Sequence, residues 1–266
     1  RHYPTPFDRS GLGTPEGIAS LTSQGIVKAW KHLARPGGSI ITAAGEVDAD
    51  ELAQRLNGLL GGWSGRGDLP EMSGHAPRGY AHEHDETNQV QVLVVHDAPP
   101  EPHEDSILER VVVSVLSGGM SGRLFTEVRE KRGLCYSVSA SYRADKDFAS
   151  VSAYVGTTPE RAQESLDVLL GELDRVTGGI GPDELQRAKI GMKSRLVFGG
   201  ESTGARAAAL AGDMRVLGRA RSMSELTERI DRVTLDEVNA YLKRRSLGRM
   251  TIQTVGPEAL SPPDGT

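Results

Sequence analysis

The chain has one cysteine, Cys135, among 266 residues. An internal disulfide is therefore excluded, and cysteine usage gives no sign of an oxidising compartment. Aromatic content is only 5% and hydrophobic content 37%, modest but compatible with a packed, helix-rich globule. No apolar run approaches the length of a membrane-spanning helix, and no charged-then-apolar leader opens the chain, which begins at Arg1. A basic surplus is missing too. Lys and Arg number 31 against 36 Asp and Glu, a net charge of −5, with the two signs interspersed, which argues against a nucleic-acid partner.

Metal-ligand spacing is also lacking. The seven histidines are His2, His32, His75, His82, His84, His96 and His103, and no pair stands as H-x-x-E-H or H-E-x-x-H in a helical run. The one cluster, His82-Glu83-His84-Asp85, falls in a polar connecting stretch and reads as solvated loop. Cys135 has no histidine near it in sequence, so it makes a poor nucleophile candidate. Gly118-Gly119-Met120-Ser121-Gly122 lacks the G-K-[ST] ending of a phosphate loop and follows a helix rather than a strand.

What is present is concentrated between Leu116 and Tyr136. An apolar helical face (Ile107, Leu108, Val111, Val112, Val115, Leu116) runs up to Ser117-Gly118-Gly119. A second helix is expected from Ser121, its N-cap, to Arg132, with Lys131 and Arg132 where the dipole favours cations. Gly133 is placed for a left-handed stop. Beyond it the period changes to alternation, with Tyr136, Val138, Ala140 and Tyr142 expected on one face of a strand. Arg129 and Tyr136 straddle the Gly133 stop. A guanidinium and a phenol brought into one space could hold a peptide carbonyl or a developing oxyanion. Arg129 fits a solvated helix end equally well, and Tyr136 a half-buried strand position.

Taken in order, Pro4, Pro6, Gly11 and Gly13 mark an opening loop. Helices are expected from Pro15, from the Thr22 cap and from the Asp48 cap, with a strand at Ser39–Ala43. From Gly61 to about Thr87 the composition turns to Gly, Pro, His and charge, which reads as a boundary. Strands are expected at Val90–Val94 and Val151–Val155, then helices over 159–176, 181–197, 203–217, 222–232 and 234–245. A last strand covers Met250–Val255, and a loose tail follows Ser261.

The end of the chain repeats its beginning. Ile18, Leu21, Thr22, Ile26 and Trp30 align with Ile230, Val233, Thr234, Val238 and Leu242 at a constant offset of 212. The strands follow in step, Ile41-Thr42-Ala43-Ala44-Gly45 against Ile252-Gln253-Thr254-Val255-Gly256. Two related units are expected, with a segment of about 125 residues preceding Arg1 if they are alike.

The run Leu116–Val138 resembles the C-terminal-domain signature of the pitrilysin/insulinase (M16) family of zinc metallopeptidases, which includes the mitochondrial processing peptidases. Cys135 stands where a small residue such as alanine is usual. Gly11–Glu16, Ala43–Val47, Thr87–Val90 and Glu201–Thr203 fit as well. The resemblance implies an α+β fold of repeated domains, each an antiparallel or mixed sheet with helices on one face. It places the remainder of a first domain at 1–61, a linker at 62–87, a second, substrate-binding domain at 88–260 and a tail at 261–266. Zinc is implied in the complete protein or in a partner subunit, held by an inverted H-x-x-E-H motif and a later glutamate that this chain lacks.

Arg129 and Tyr136 match the pair that reaches across the clam-shell cavity to a peptide or unfolded-polypeptide substrate. Gly118 and Gly119 match the family's glycine turn, and a homo- or heterodimer with a family homologue is implied. The expected function is the C-terminal portion of a zinc endopeptidase, inactive as this chain alone. An inactive partner subunit and a non-enzymatic structural subunit are the alternatives. No compartment can be read from the chain.

Overall fold

The computed structural model describes residues 1–67 and 71–263. Its centre is a five-stranded mixed sheet. β1 (Gly79–His84), β2 (Val90–Asp97), β3 (Cys135–Ala144), β4 (Ala149–Thr157) and β5 (Thr251–Gly256) lie in the order β1-β5-β2-β4-β3. Only β1 and β5 run parallel; the other three pairings are antiparallel. The alternation seen in the sequence decides which face is dry. Val90, Val92 and Val94 of β2, Val151, Ala153 and Val155 of β4 and Ile252 of β5 are buried on one side.

Helices cover that side alone. α4 (Ser106–Ser117) places Leu108, Val111, Val112, Val115 and Leu116 on the strands, and α5 (Ala162–Arg175) adds Leu166, Leu169 and Leu173. α6 (Pro182–Glu201), α8 (Met223–Arg232) and α9 (Leu235–Arg244) complete the layer, with α7 (Thr203–Leu217) packed on α6. α9 is entered through a capping box between Thr234 and Glu237. The molecule is α+β, as expected.

Two expectations change. Ser39–Ala43 forms no strand; Ile41 is 57% exposed, and among the described residues no strand lies beside it to pair with. A strand needs a neighbour for its backbone groups. Conversely, Gly79–His84, inside the stretch read as linker, is a sheet strand parallel to β5. Its polar sequence hid it, because it sits at the sheet edge and buries little. The expected tail is described only as far as Pro263, and the rest lies outside the described residues.

Ahead of the sheet lie α1 (Pro15–Ala19), α2 (Ser23–Leu33) and α3 (Ala49–Leu60), capped by Thr14, Thr22 and Asp48. None buries a residue. Ile18, Leu21, Ile26, Trp30 and Leu33 are all more than half exposed.

One polar network sits inside the core. The Glu109 carboxylate, fully buried on α4, takes a bidentate pair from Arg245, with Nη2 to Oε1 at 2.6 Å and Nε to Oε2 at 2.9 Å. Tyr241 donates its hydroxyl to the same carboxylate. Arg245 also reaches His96 Nε2 at 3.1 Å, while His96 Nδ1 meets the Asp97 carbonyl at 2.8 Å. Burial first, and the Arg245 charge second, press His96 down to about 4.

Breaking this pair one-sidedly, with Glu109→Ala, is expected to lower the unfolding free energy by about 3–5 kcal/mol, whereas Glu109→Leu with Arg245→Met together should cost clearly less, its remaining loss coming from the Tyr241 hydroxyl and His96 Nε2 left without partners. Urea melts of the three proteins decide it; equal losses in the single and double variants would contradict the account. His96 adds a pH dependence. The unfolded chain takes up a proton near 6.5 and the folded one only near 4, so stability is whole above pH 6.5 and falls as pH drops towards 4. The loss is on the order of 3 kcal/mol, and His96→Gln flattens that slope.

Candidate functional site

The segment joining α4 to β3 is built by glycines and by a change of helical period. Gly118 leaves no room for a side chain, since a Cβ would run into the Ser114 carbonyl, and Gly119 turns the chain at φ +141°. The helix that follows is anchored by Arg123, whose Nε and Nη2 pair with Glu184 at 2.6 and 2.8 Å. It was expected as an α-helix to Arg132, but Phe125–Glu130 winds as a π-helix, with Lys131 N–H bonding Thr126 O at 2.9 Å. The wider turn accommodates one extra residue, which rotates every later side chain. Gly133, at φ +60°, then reverses the chain as expected.

That corner is pinned. Glu127 receives Lys131 Nζ at 2.8 Å and Arg132 Nη1 at 2.8 Å, and these bonds hold its carboxyl down to about 2. Thr157 donates to the Leu134 carbonyl and Arg161 to the Gly133 carbonyl. Arg129 is different. It is exposed, and its guanidinium lies 5.0 Å from the centre of the Phe125 ring; among the described residues that guanidinium has no hydrogen bond and no carboxylate partner. Its charge reaches the Cys135 thiol, which burial pushes up and Arg129 opposes.

Tyr136 needs a correction. Strict alternation put it on the face of Val138, Ala140 and Tyr142, but a β-bulge lies between Cys135 and Ser137. Cys135 pairs with Thr157 and Ser137 with Gly156, leaving Tyr136 as the extra residue. It therefore faces away from the helices, half exposed, and its hydroxyl donates to Gln89 Oε1 at 2.8 Å. Beside it the Tyr154 hydroxyl donates to Gln91. Burial, then the Tyr136 hydroxyl, raises Tyr154 above the usual phenol value.

Gly156 is the floor beneath both rings. A Cβ there would lie 2.6 Å from the Tyr154 hydroxyl and 2.9 Å from that of Tyr136. Gln89, Gln91, Tyr154 and Gly156 were not singled out from the sequence. The one available signal was a glycine ending the alternating Val151–Val155 run, a mark of close approach. Arg129 and Tyr136 thus flank the bulged corner, Arg129 beside Cys135 and Tyr136 on the open face, with no hydrogen bond between them among the described residues.

Among the described residues no three His, Cys, Asp or Glu side chains converge to hold a metal. The His82–Asp85 cluster lies on and just after β1, where His82 Nδ1 meets Thr254 Oγ1 at 2.9 Å and His84 Nδ1 meets the Pro257 carbonyl at 3.0 Å. Among the described residues no helix is long and apolar enough to cross a membrane.

The sequence model described as the peptidase M16 inactive domain matches residues 20–192, more than half of the chain. The chain belongs to the peptidase M16 family. An uncharacterized zinc protease of Streptomyces coelicolor is 30% identical over 261 residues, covering 94% of this chain and 56% of the relative. One from Mycobacterium tuberculosis is 29% identical, covering 95% and 59%. A crystal structure of a peptidase M16 inactive domain from Pseudomonas fluorescens superimposes with a TM-score of 0.75 at 19% identity, over 99% of this chain and 64% of that one. A chain of complex III2 from Candida albicans gives 0.78 at 19% identity, over 94% and 62%. This M16 chain therefore spans less than two thirds of those relatives, and the two structural likenesses speak for the fold alone.

If Arg129 and Tyr136 are held for a ligand rather than for the fold, removing them should cost little stability. Arg129→Ala is expected to change the unfolding free energy by less than about 0.5 kcal/mol, and Tyr136→Phe by under about 1 kcal/mol. Glu127→Ala, which frees Lys131 and Arg132, should cost visibly more in the same melts. A larger loss for Arg129→Ala than for Glu127→Ala would make Arg129 structural.

Proposed function

We propose that this chain is the substrate-binding portion of an M16 zinc endopeptidase, with Arg129 and Tyr136 as the pair that contacts the peptide. The observation that carries the reading is the unpartnered Arg129 guanidinium beside a bulge that turns Tyr136 onto the open face. Every neighbouring cation of the corner is engaged, Lys131 and Arg132 by Glu127 and Arg123 by Glu184. A charge left without a counter-ion at an exposed site suits a group that arrives with the substrate. The guanidinium donates, and the phenol does so once its bond to Gln89 is exchanged, so a peptide carbonyl, and more strongly the oxyanion that develops on it, is the matching chemistry. The names of the relatives as zinc proteases support the reaction class. No zinc ligand set comes from the described residues, so the metal belongs to the complete protein or to a family partner.

In this reading residues 1–61 are the remainder of a first unit, 62–87 the connection, which lends β1 (Gly79–His84) to the sheet of the second unit, and 88–260 the rest of that second unit, about one and a half units in all. The repeat at an offset of 212 supports this, and so do the exposed apolar faces of α1 and α2, which match positions that are buried in α8 and α9. The substrate would be an unfolded polypeptide able to lie as an extended strand along the β3 edge. A homo- or heterodimer with a family homologue would bring the two halves of the cavity together.

In the complete protein, Arg129→Ala and Tyr136→Phe are each expected to lower turnover of an unfolded peptide by about tenfold to a thousandfold with zinc content unchanged. Metal analysis beside peptide cleavage reads both. Full activity in both variants would return the pair to a structural role. The 266-residue chain alone is expected neither to retain stoichiometric zinc nor to cut peptides.

A further inference from the structure

On the opposite, helix-covered side of the sheet, α4, β3, α6 and α8 border a cavity of about 570 Å³ that is open to solvent. Its walls are apolar, contributed by Ile107, Val113, Met192, Leu196, Leu226 and Ile230. Four guanidinium groups, Arg110, Arg195, Arg221 and Arg229, also line it, and Glu101 is the one carboxylate among them. Such a volume, mostly apolar with a few convergent polar groups, is typical of a small-molecule site.

The charges do not balance. Glu101 is shared between Arg110 and Arg221. Arg221 takes Asp213 as well, at 2.6 and 3.0 Å. The carboxylates on the outer side of α8 are already engaged, Glu225 by Arg219 and Glu228 by Arg232. Among the described residues the Arg229 side chain bonds only the hydroxyl of buried Ser106, at 2.9 Å, and that of Arg195, on α6, only the hydroxyl of Ser114 on α4, at 3.1 Å. Arg229 is half-buried, and desolvation first, with the nearby Arg221 and Arg110 charges adding to it, lowers its affinity for a proton although Glu101 opposes them. The one carboxylate lining the cavity beside Arg229, Glu101, is already bonded by Arg110 and Arg221, so among the described residues this partly desolvated guanidinium has no anion of its own for its planar fork to pair with.

We propose that this cavity binds a small amphipathic carboxylate, its head paired with Arg229 and its aliphatic body laid against Ile107, Leu226 and Ile230. Arg110 stays over the Tyr142 ring, 4.9 Å from its centre, and with Arg221 keeps Glu101 neutralised so that it does not repel the head group. Neither Arg129 nor Tyr136 lines this cavity, and Tyr136 stands on the other face of the sheet, so the site is separate from the peptide-binding reading and does not depend on it.

The test is calorimetric titration of the complete protein with octanoate, and with acetate and octylamine as probes of head and body. One saturable octanoate site is expected, with acetate and octylamine at least about tenfold weaker, since both the charge and the chain are used. Arg229→Gln should weaken octanoate about tenfold or more. Leu226→Trp fills the cavity without touching its charges and should abolish binding, which keeps the idea open to refutation if Arg229→Gln does not fold. Absence of octanoate binding, equal binding of octylamine, or undiminished binding by either folded variant would overturn the proposal.

Discussion

A sheet covered by helices on one face only must sort every side chain into a dry side and an open side, and this constraint organises the molecule. β2 and β4 obey it without exception at Val90, Val92, Val94, Val151, Ala153 and Val155. Because the strand period is two, one inserted residue is enough to move a side chain from one side to the other. The bulge at Tyr136 makes that move at the start of β3. A phenol whose alternation puts it in the core instead stands on the open face beside Tyr154, over a glycine that clears the space for both rings. The π-turn before it and the Gly133 reversal set where Arg129 ends up relative to that face.

The guanidinium groups show three different settlements with the same physics. Arg245, deep in the core, is tolerated because Glu109 meets it in two directions and His96 accepts a further bond as a neutral ring. Arg229, half-buried, has a hydroxyl where a carboxylate would be expected. Arg129 is exposed, and water solvates its charge, so the fold asks no carboxylate of it. Burial and pairing together, rather than charge alone, separate structural cations from available ones.

Much of this was legible in the chain. The Val alternation of β2 and β4, the apolar stripe of α4, the Thr234–Glu237 capping box and the Gly133 stop are local patterns, and the structure keeps each of them. The family signature between Leu116 and Val138 is dense enough to be matched from residues alone, and the family model and the relatives agree with it. β1 escaped because an edge strand that buries little has no hydrophobic period to show. Ser39–Ala43 misled for the opposite reason, since a β-rich run forms a strand only when another strand lies beside it.

The sequence by itself determined the helix and strand periods, the caps and the glycine stop, because these act over a few neighbouring residues, while the family and its α+β class came from the likeness of Leu116–Val138 to M16 sequences. Only the tertiary structure decided which way Tyr136 points, that Arg129 stays unpaired while Arg245 does not, and that four guanidinium groups from three helices and a loop line one cavity. Those outcomes depend on strand register and on partners tens of residues away, for example Gln89 with Tyr136, Glu109 with Arg245 and Ser106 with Arg229. A contact between side chains so far apart along the chain comes into being only when the sheet and its helix layer close together.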